Sequence, residues 1–178
     1  MVIELIIVPL SANWNGAFMM NLSTRPICRL ADLSDIADIA VLFDAYRQFY
    51  GQTPDLAGAE AFLRTNLEKG FSVLYKAAES AEPGAAVLGF AQLYPTWSSI
   101  SMKRVWTLND LFVLPHARGR GAGRSLLEAA AGYARGTGAK GIELATATGN
   151  ARARQLYEQA GYAEDTEFVH YFLNLEGL

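Results

Sequence analysis

The chain carries one cysteine, Cys28, in 178 residues. It therefore has no internal disulfide, and its fold rests on a buried apolar core. Histidine is nearly as scarce: His116 and His170 are isolated and give no metal-ligand spacing, so no metal is expected. The cationic excess of a nucleic-acid binder is also missing. Fifteen Lys and Arg face 18 Asp and Glu, for a net charge of −3 and a pI near 5.4. No apolar run is long enough to cross a bilayer. The stretch 1–10 (MVIELIIVPL) is short, is interrupted by Glu4 and has no basic residues ahead of it, which also makes it a poor secretory leader. These absences lead to the expectation of a cytoplasmic protein with neither nucleic-acid nor membrane partners.

What is present is a core-forming composition. At 51% hydrophobic and 19% charged, 178 residues suit one domain. Residues 1–22 read as an N-terminal extension, with Met19 or Met20 as an alternative start; an added edge strand or dimer contact is the other reading. Residues 23–178 read as a single domain without repeats, low-complexity tracts or linkers.

Periodicity and turn chemistry divide that domain into alternating elements. Residues 27–30 predict a short strand. Asp32 or Ser34 caps a helix through about residue 49, with Ile36, Ile39, Ala40, Phe43, Tyr46 and Tyr50 at core spacing. A second helix covers 56–69 and ends at Gly70. Strands follow at 71–78 and 86–94, then a loop or widened hairpin over 95–104 and a long strand over 105–114. A helix from Ser125 to about residue 135, a strand over 142–147, a helix capped by Asn150 and a final strand over 168–175 complete the order.

The most informative stretch follows the long strand: Arg118-Gly119-Arg120-Gly121-Ala122-Gly123-Arg124, opening a helix. Glycines let backbone approach a ligand closely, the first N–H groups of a helix lack internal partners, and arginines add charge-assisted donors. This composition points to a phosphorylated ligand. A P-loop is excluded because no Gly-Lys-Ser/Thr follows, and a dinucleotide fingerprint fails because the third glycine, Gly123, comes one place early. The pattern that does fit is Arg-x-x-Gly-x-Gly, met by Arg118, Gly121 and Gly123. A second segment, Asn150 to Tyr162, reads Asn-x-x-Ala-x-x-Leu-Tyr-x-x-x-Gly-Tyr, with Asn150 and Tyr157 two helical turns apart.

The loop, the second segment and the element order together resemble the GNAT superfamily of N-acetyltransferases over roughly residues 27–175. The resemblance implies an α/β fold of α+β type: a mixed, mostly antiparallel twisted sheet of six to seven strands flanked by about four helices. It implies acetyl-CoA as co-substrate, held by Arg118, Gly119, Arg120, Gly121, Ala122, Gly123, Arg124 and Asn150, with the pantetheine arm along Leu111, Phe112 and Val113. Tyr157 is then the group beside the leaving sulfur. The polar pair Asn109-Asp110 interrupts an apolar strand and is consistent with a bulge that splays the sheet. Residues 107–113, Gly89-Phe90 and Tyr94-Pro95-Thr96-Trp97 are similar to the diamine acetyltransferase branch, except that its glutamate aligns with Asn109, which cannot accept a proton. Asp110 either acts as base through water or organises the bulge. Tyr46, Tyr50, Trp97 and Asn109 are the candidate acceptor contacts, the aromatic ones through their ring faces. The implied activity is direct transfer of acetyl to a primary amine of a small molecule in a ternary complex. A protein or peptide acetyltransferase and a non-catalytic acyl-CoA-binding module are the alternatives. Homodimers are common in the family.

Overall fold

Local capping chemistry sets where the first helices begin in the computed structural model, which describes residues 25–175. After β1 (Ile27–Leu30), the Asp32 carboxylate accepts from the Ser34 N–H at 2.8 Å, and Asp35 accepts from the Asp32 N–H at 3.0 Å. This reciprocal box opens a 3-10 turn, Leu33–Asp35, that leads into α1 (Ile36–Phe49). Asp35 is buried, and burial by itself raises a carboxyl. Contacts from Arg29 at 2.7 Å and Lys76 at 2.6 Å reverse that and hold it at about 2. Asp55 caps α2 (Leu56–Glu68) by accepting from the Gly58 N–H.

The strands β2 (Val73–Ala78), β3 (Val87–Ser98) and β4 (Lys103–Val113) form an antiparallel meander beside β1. Helix α3 (Ala122–Gly136) then returns the chain so that β5 (Gly141–Glu143) pairs parallel to β4, and α4 (Ala151–Gln159) follows. The five strands lie in sequence order in one mixed sheet. One face carries Ile36, Ile39, Phe43 and Tyr46 of α1 and Leu63 of α2 against Leu74, Phe90 and Phe112. The other carries Leu126, Leu127 and Ala130 of α3 with Ala153 and Tyr157 of α4 against Leu93, Trp106, Leu108 and Leu111.

The bulge expected at Asn109-Asp110 is present. Gln92 pairs with Asp110 but Leu93 pairs with Leu108, so Asn109 is the extra residue of β4. Leu108 and Leu111, three apart, therefore share one face of the sheet. Beyond the bulge no strand among the described residues accompanies β4 on its other side, because β5 pairs only Val105, Trp106 and Thr107. The sheet opens there, between the ends of β4 and β5.

Several boundaries differ from the sequence-based expectation. The hairpin of β3 and β4 runs through 95–98 and 103–104, expected to be loop. Pro95 is tolerated because β2 stops pairing at Leu93, so its missing N–H costs no ladder bond on that side. Helix α3 starts three residues earlier than expected, at Ala122, and β5 is only three residues long. The final strand expected over 168–175 is absent: these residues make no sheet pairing, and Phe168, Tyr171 and Phe172 are exposed. Among the described residues the count is thus five strands instead of six to seven, because so short a β5 offers little edge for another ladder. The reading of residues 1–22 as an extension lies outside the described residues.

Phe90 is fully buried, with ring centroids 5.8 Å from Phe43 and about 6.1 Å from both Tyr46 and Phe112. Phe90→Ala is expected to cost ~3–5 kcal/mol in urea unfolding. A loss below ~1 kcal/mol would mean this face of the sheet is not a packed core.

Candidate active site

The glycine-rich turn becomes an anion cradle through backbone geometry. After β4 the chain makes a 3-10 turn at Pro115–Ala117, then reverses through Gly119 at φ 79° and Gly121 at φ 89°, values that any side chain would strain. Gly121 is the N-cap of α3 and supplies no side chain. The first helical bond runs from the Ser125 N–H to the Gly121 carbonyl at 2.9 Å, so the amides of Ala122, Gly123 and Arg124 precede it, where an anion is favoured. A Cβ on Gly123 would meet Leu156 at 3.2 Å, so the missing side chain also lets α4 close on α3.

Among the described residues, three arginines and no carboxylate line the resulting cavity of about 260 Å³. Arg118 donates from Nε to the Val113 carbonyl at 2.8 Å, which ties the loop to the end of β4. Its Nη2 is buried with no hydrogen-bond partner among the described residues. Burial, and then the neighbouring Arg152 charge, pull the Arg118 pKa down. A buried donor without a partner among the described residues, beside a second cation and open amides, fits the phosphates of a phosphorylated ligand. Arg152, Leu156 and Gln159 also line the cavity, and sequence reasoning missed them. Their signal was available: residues 152, 156 and 159 share one helix face. Asn150 acts as the cap of α4, accepting from the Ala153 N–H at 3.2 Å, and neither it nor Arg120 lines the cavity. Arg124 pairs with Glu128 at 3.1 Å at the rim.

The second half of the site lies at the bulge. Asp110 is 5% exposed, and burial pushes its carboxyl up to about 6. The Asn109 amide, donating at 2.9 Å, and the nearby Tyr46 hydroxyl act the other way. Tyr46 is core, packed edge-on against Tyr50 at 5.0 Å and near Phe90 and Phe112. Tyr94 of β3 is pushed to about 12 by burial and by the Asp110 charge. The Asn109 Oδ1 is buried and unpartnered among the described residues, as is the Tyr157 hydroxyl. Burial, then Tyr162 and Tyr50, raise the Tyr157 phenol well above its ordinary value. Tyr50 thus lies close enough to both Tyr46 and Tyr157 to act on each. Trp97 stands apart, 63% exposed near the tip of the hairpin, with Arg104 stacked on its ring at 5.1 Å. Leu111, Phe112 and Val113 are buried along the stretch of β4 that lacks a β5 partner.

An anion cradle at the end of β4, joined along that strand to a buried carboxyl, with a buried phenol on α4, suits a group-transfer enzyme whose donor carries phosphates at one end and its reactive bond at the other. Comparison with known proteins gives that class a family. The model of the Acetyltransferase (GNAT) family matches residues 39–162, and the chain belongs to that family. It is 57% identical over 147 residues to the uncharacterized N-acetyltransferase YhfO of Bacillus subtilis (strain 168), covering 83% of this chain and 96% of the relative. It is similar to the crystal structure of a probable acetyltransferase, with TM-score 0.78 and 38% identity over 84% of this chain and 97% of that one. It also shares its fold with a predicted acetyltransferase from Clostridium acetobutylicum crystallised with acetyl-CoA, at TM-score 0.64 and 18% identity over 84% and 96% of the two chains. The chain is accordingly an N-acetyltransferase of the α+β GNAT fold, a family that uses acetyl-CoA.

Because the folded chain holds Asp110 near 6, above an ordinary 3.8, this carboxyl draws stability away as pH rises from about 4 through about 6. Asp110→Asn is therefore expected to stabilise the protein at pH 7 by up to ~3 kcal/mol and to change little at pH 4, in chemical unfolding. Equal effects at both pH values would show that Asp110 is not a strained buried carboxylate.

Proposed function

We propose that the enzyme transfers acetyl from acetyl-CoA directly to the primary amine of a small molecule, in a ternary complex, with Asp110 as base and Tyr157 beside the leaving sulfur. One observation carries this reading. Asp110, at the bulge of β4, is a buried carboxyl with a raised pKa, and the buried Tyr157 phenol, in the same core cluster as Leu111 and Val113, has no hydrogen-bond partner among the described residues. When bound, acetyl-CoA supplies an activated acyl carbon on a thiol leaving group. The cradle amides of Ala122, Gly123 and Arg124, with Arg118 and Arg152, hold its phosphates. The pantetheine arm runs along Leu111, Phe112 and Val113, where an N–H near Val113 serves the thioester oxygen.

The chemistry of the acceptor explains why a base is needed. An amine with a lysine-like pKa of ~10.4 is neutral at pH 7 at a cost of ~4.6 kcal/mol. Its charge favours a site with Asp110 at hand, and the Asn109 Oδ1 is an acceptor for an amine N–H where a glutamate stands in the diamine branch. Asn109 orients and Asp110 takes the proton as nitrogen bonds to carbon. Tyr50, partly exposed, presents its ring to the acceptor, while Tyr46 works from behind through its hydroxyl. The departing thiolate, with a thiol pKa of ~8.5, is a weaker base than an ordinary phenolate at ~10, so Tyr157 serves by hydrogen bonding and not by giving up its proton alone. A diamine or an amino-acid-like amine suits this arrangement best. A cytoplasmic setting is part of the same proposal.

Free-thiol release from acetyl-CoA, measured against diamines, amino acids, aminoglycosides and lysine peptides, tests the proposal. Amine-dependent release should appear with a small amine, and Tyr157→Phe should lower kcat by ~10²-fold or more without abolishing acetyl-CoA binding. Faster turnover of peptides than of any small amine would overturn the acceptor class, and a Tyr157→Phe enzyme with wild-type kcat would remove Tyr157 from the mechanism.

A further inference from the structure

Gln92 is a polar side chain at the centre of a buried sheet face. Residues two apart on an extended chain share a face, so Gln92 stands with Phe90, Asp110 with Phe112 and Ser72 with Leu74, all on the face that α1 covers. Gln92 is 0% exposed, where a leucine would pack without desolvating an amide. Its Nε2 donates to the Ser72 Oγ at 2.7 Å, which anchors one end of that amide. Its Oε1 is buried and has no hydrogen-bond partner among the described residues. The residue opposite Gln92 in the β3–β4 ladder is Asp110, and directly opposed side chains on one face have Cβ atoms ~4.5–5.5 Å apart.

We propose that Gln92 is a positioning residue for the base: its Oε1 accepts the hydrogen bond that Asp110 can donate only after it has taken the proton of the amine. The proposal rests on the reading of Asp110 as base given above. As nitrogen bonds to the acyl carbon, the N–H bond breaks with its electron pair left on nitrogen, and the proton forms an O–H bond on Asp110. Gln92 takes no proton, because an amide oxygen is far too weak a base; it holds the one that has arrived. The Asp110 Oδ2 already accepts from the Asn109 amide at 2.9 Å, which leaves Oδ1 as the oxygen to be protonated.

Two features favour this pairing. An ionised carboxylate has acceptors only, so an acceptor set opposite it stays without a partner until the carboxyl carries a proton, which accounts for the orphaned Oε1. The bond to Ser72 also decides which end of the amide is left for Asp110: with Nε2 engaged, it is Oε1. A hydrogen bond accepted from the neutral carboxyl favours that form, and so acts in the same direction as the burial that holds Asp110 near 6. The groups facing Asp110 are Asn109 of its own strand, Tyr46 of α1, and Gln92 and Tyr94 of β3, and among the described residues none of them is a cation that would hold the carboxyl ionised.

Gln92→Met keeps an unbranched side chain of similar length and removes the acceptor. In the free protein it should lower the pH at which the Asp110 carboxyl titrates by ¹³C NMR by about one pH unit, toward an ordinary carboxylate. The low-pH limb of kcat should move down with it, while KM for acetyl-CoA stays within about twofold. Ser72→Ala releases the other end of the amide and should move the same titration in the same direction by less; it also reads the pairing should Gln92→Met fail to fold. An Asp110 titration that stays in place or rises overturns the pairing and leaves acetyl transfer standing, a rise meaning that Nε2 and not Oε1 faces the carboxylate. A kcat limb that survives Asp110→Asn overturns the base and its positioning residue together, and is told apart because the titration in the free protein needs no turnover.

Discussion

An extra residue in β4 governs the rest of the site. With Asn109 inserted opposite the Gln92–Leu93 step, β4 changes the parity of its side chains midway along its length. Trp106, Leu108, Leu111 and Val113 can then all join the core beneath α3, while Phe112 joins the core beneath α1 and Asp110 meets Tyr46. A regular strand would send Leu108 and Leu111 to opposite faces. The bulge also adds local twist, and past it β4 and β5 no longer pair. One inserted residue thereby accompanies both the opening along β4 and a carboxyl buried beside it.

That burial has opposite consequences for stability and chemistry. A carboxyl raised to about 6 weakens the fold at neutral pH, and the same shift suits it to the role of base proposed above. The Arg118 Nη2, Asn109 Oδ1 and Tyr157 hydroxyl likewise carry a cost, each a buried polar atom without a hydrogen-bond partner among the described residues. Arg118 lines the cradle after β4, Asn109 sits at the bulge and Tyr157 lies on α4. Elsewhere the chain resolves comparable problems outright, as where Arg29 and Lys76 satisfy the buried Asp35.

Much of the architecture was legible because it depends on local signals. The caps at Asp32, Asp55 and Asn150, the glycine reversal before α3 and the bulge at Asn109-Asp110 all follow from residues within a few positions of each other. The phosphate cradle was readable for the same reason. What stayed hidden depends on distant partners. The approach of Tyr46 to Asp110 brings together residues far apart in sequence, and it requires knowing the strand parity after the bulge. Arg152 gains its role only when α4 packs against Gly123. The extended hairpin around Pro95 depended on where β2 ends, and the apolar run 168–175 carries a strand-like pattern that finds no partner edge among the described residues.

The central claim, that a carboxyl buried by the bulge is the base for acetyl transfer, is tested most directly by the pH dependence of kcat in the wild type and in Asp110→Asn. With a saturating small amine, the account predicts a wild-type rate that climbs with pH and levels off above an apparent pKa near 6. Asp110→Asn should lose that limb together with most of the rate. A variant that keeps the same limb would contradict the assignment and place the base elsewhere in the cleft.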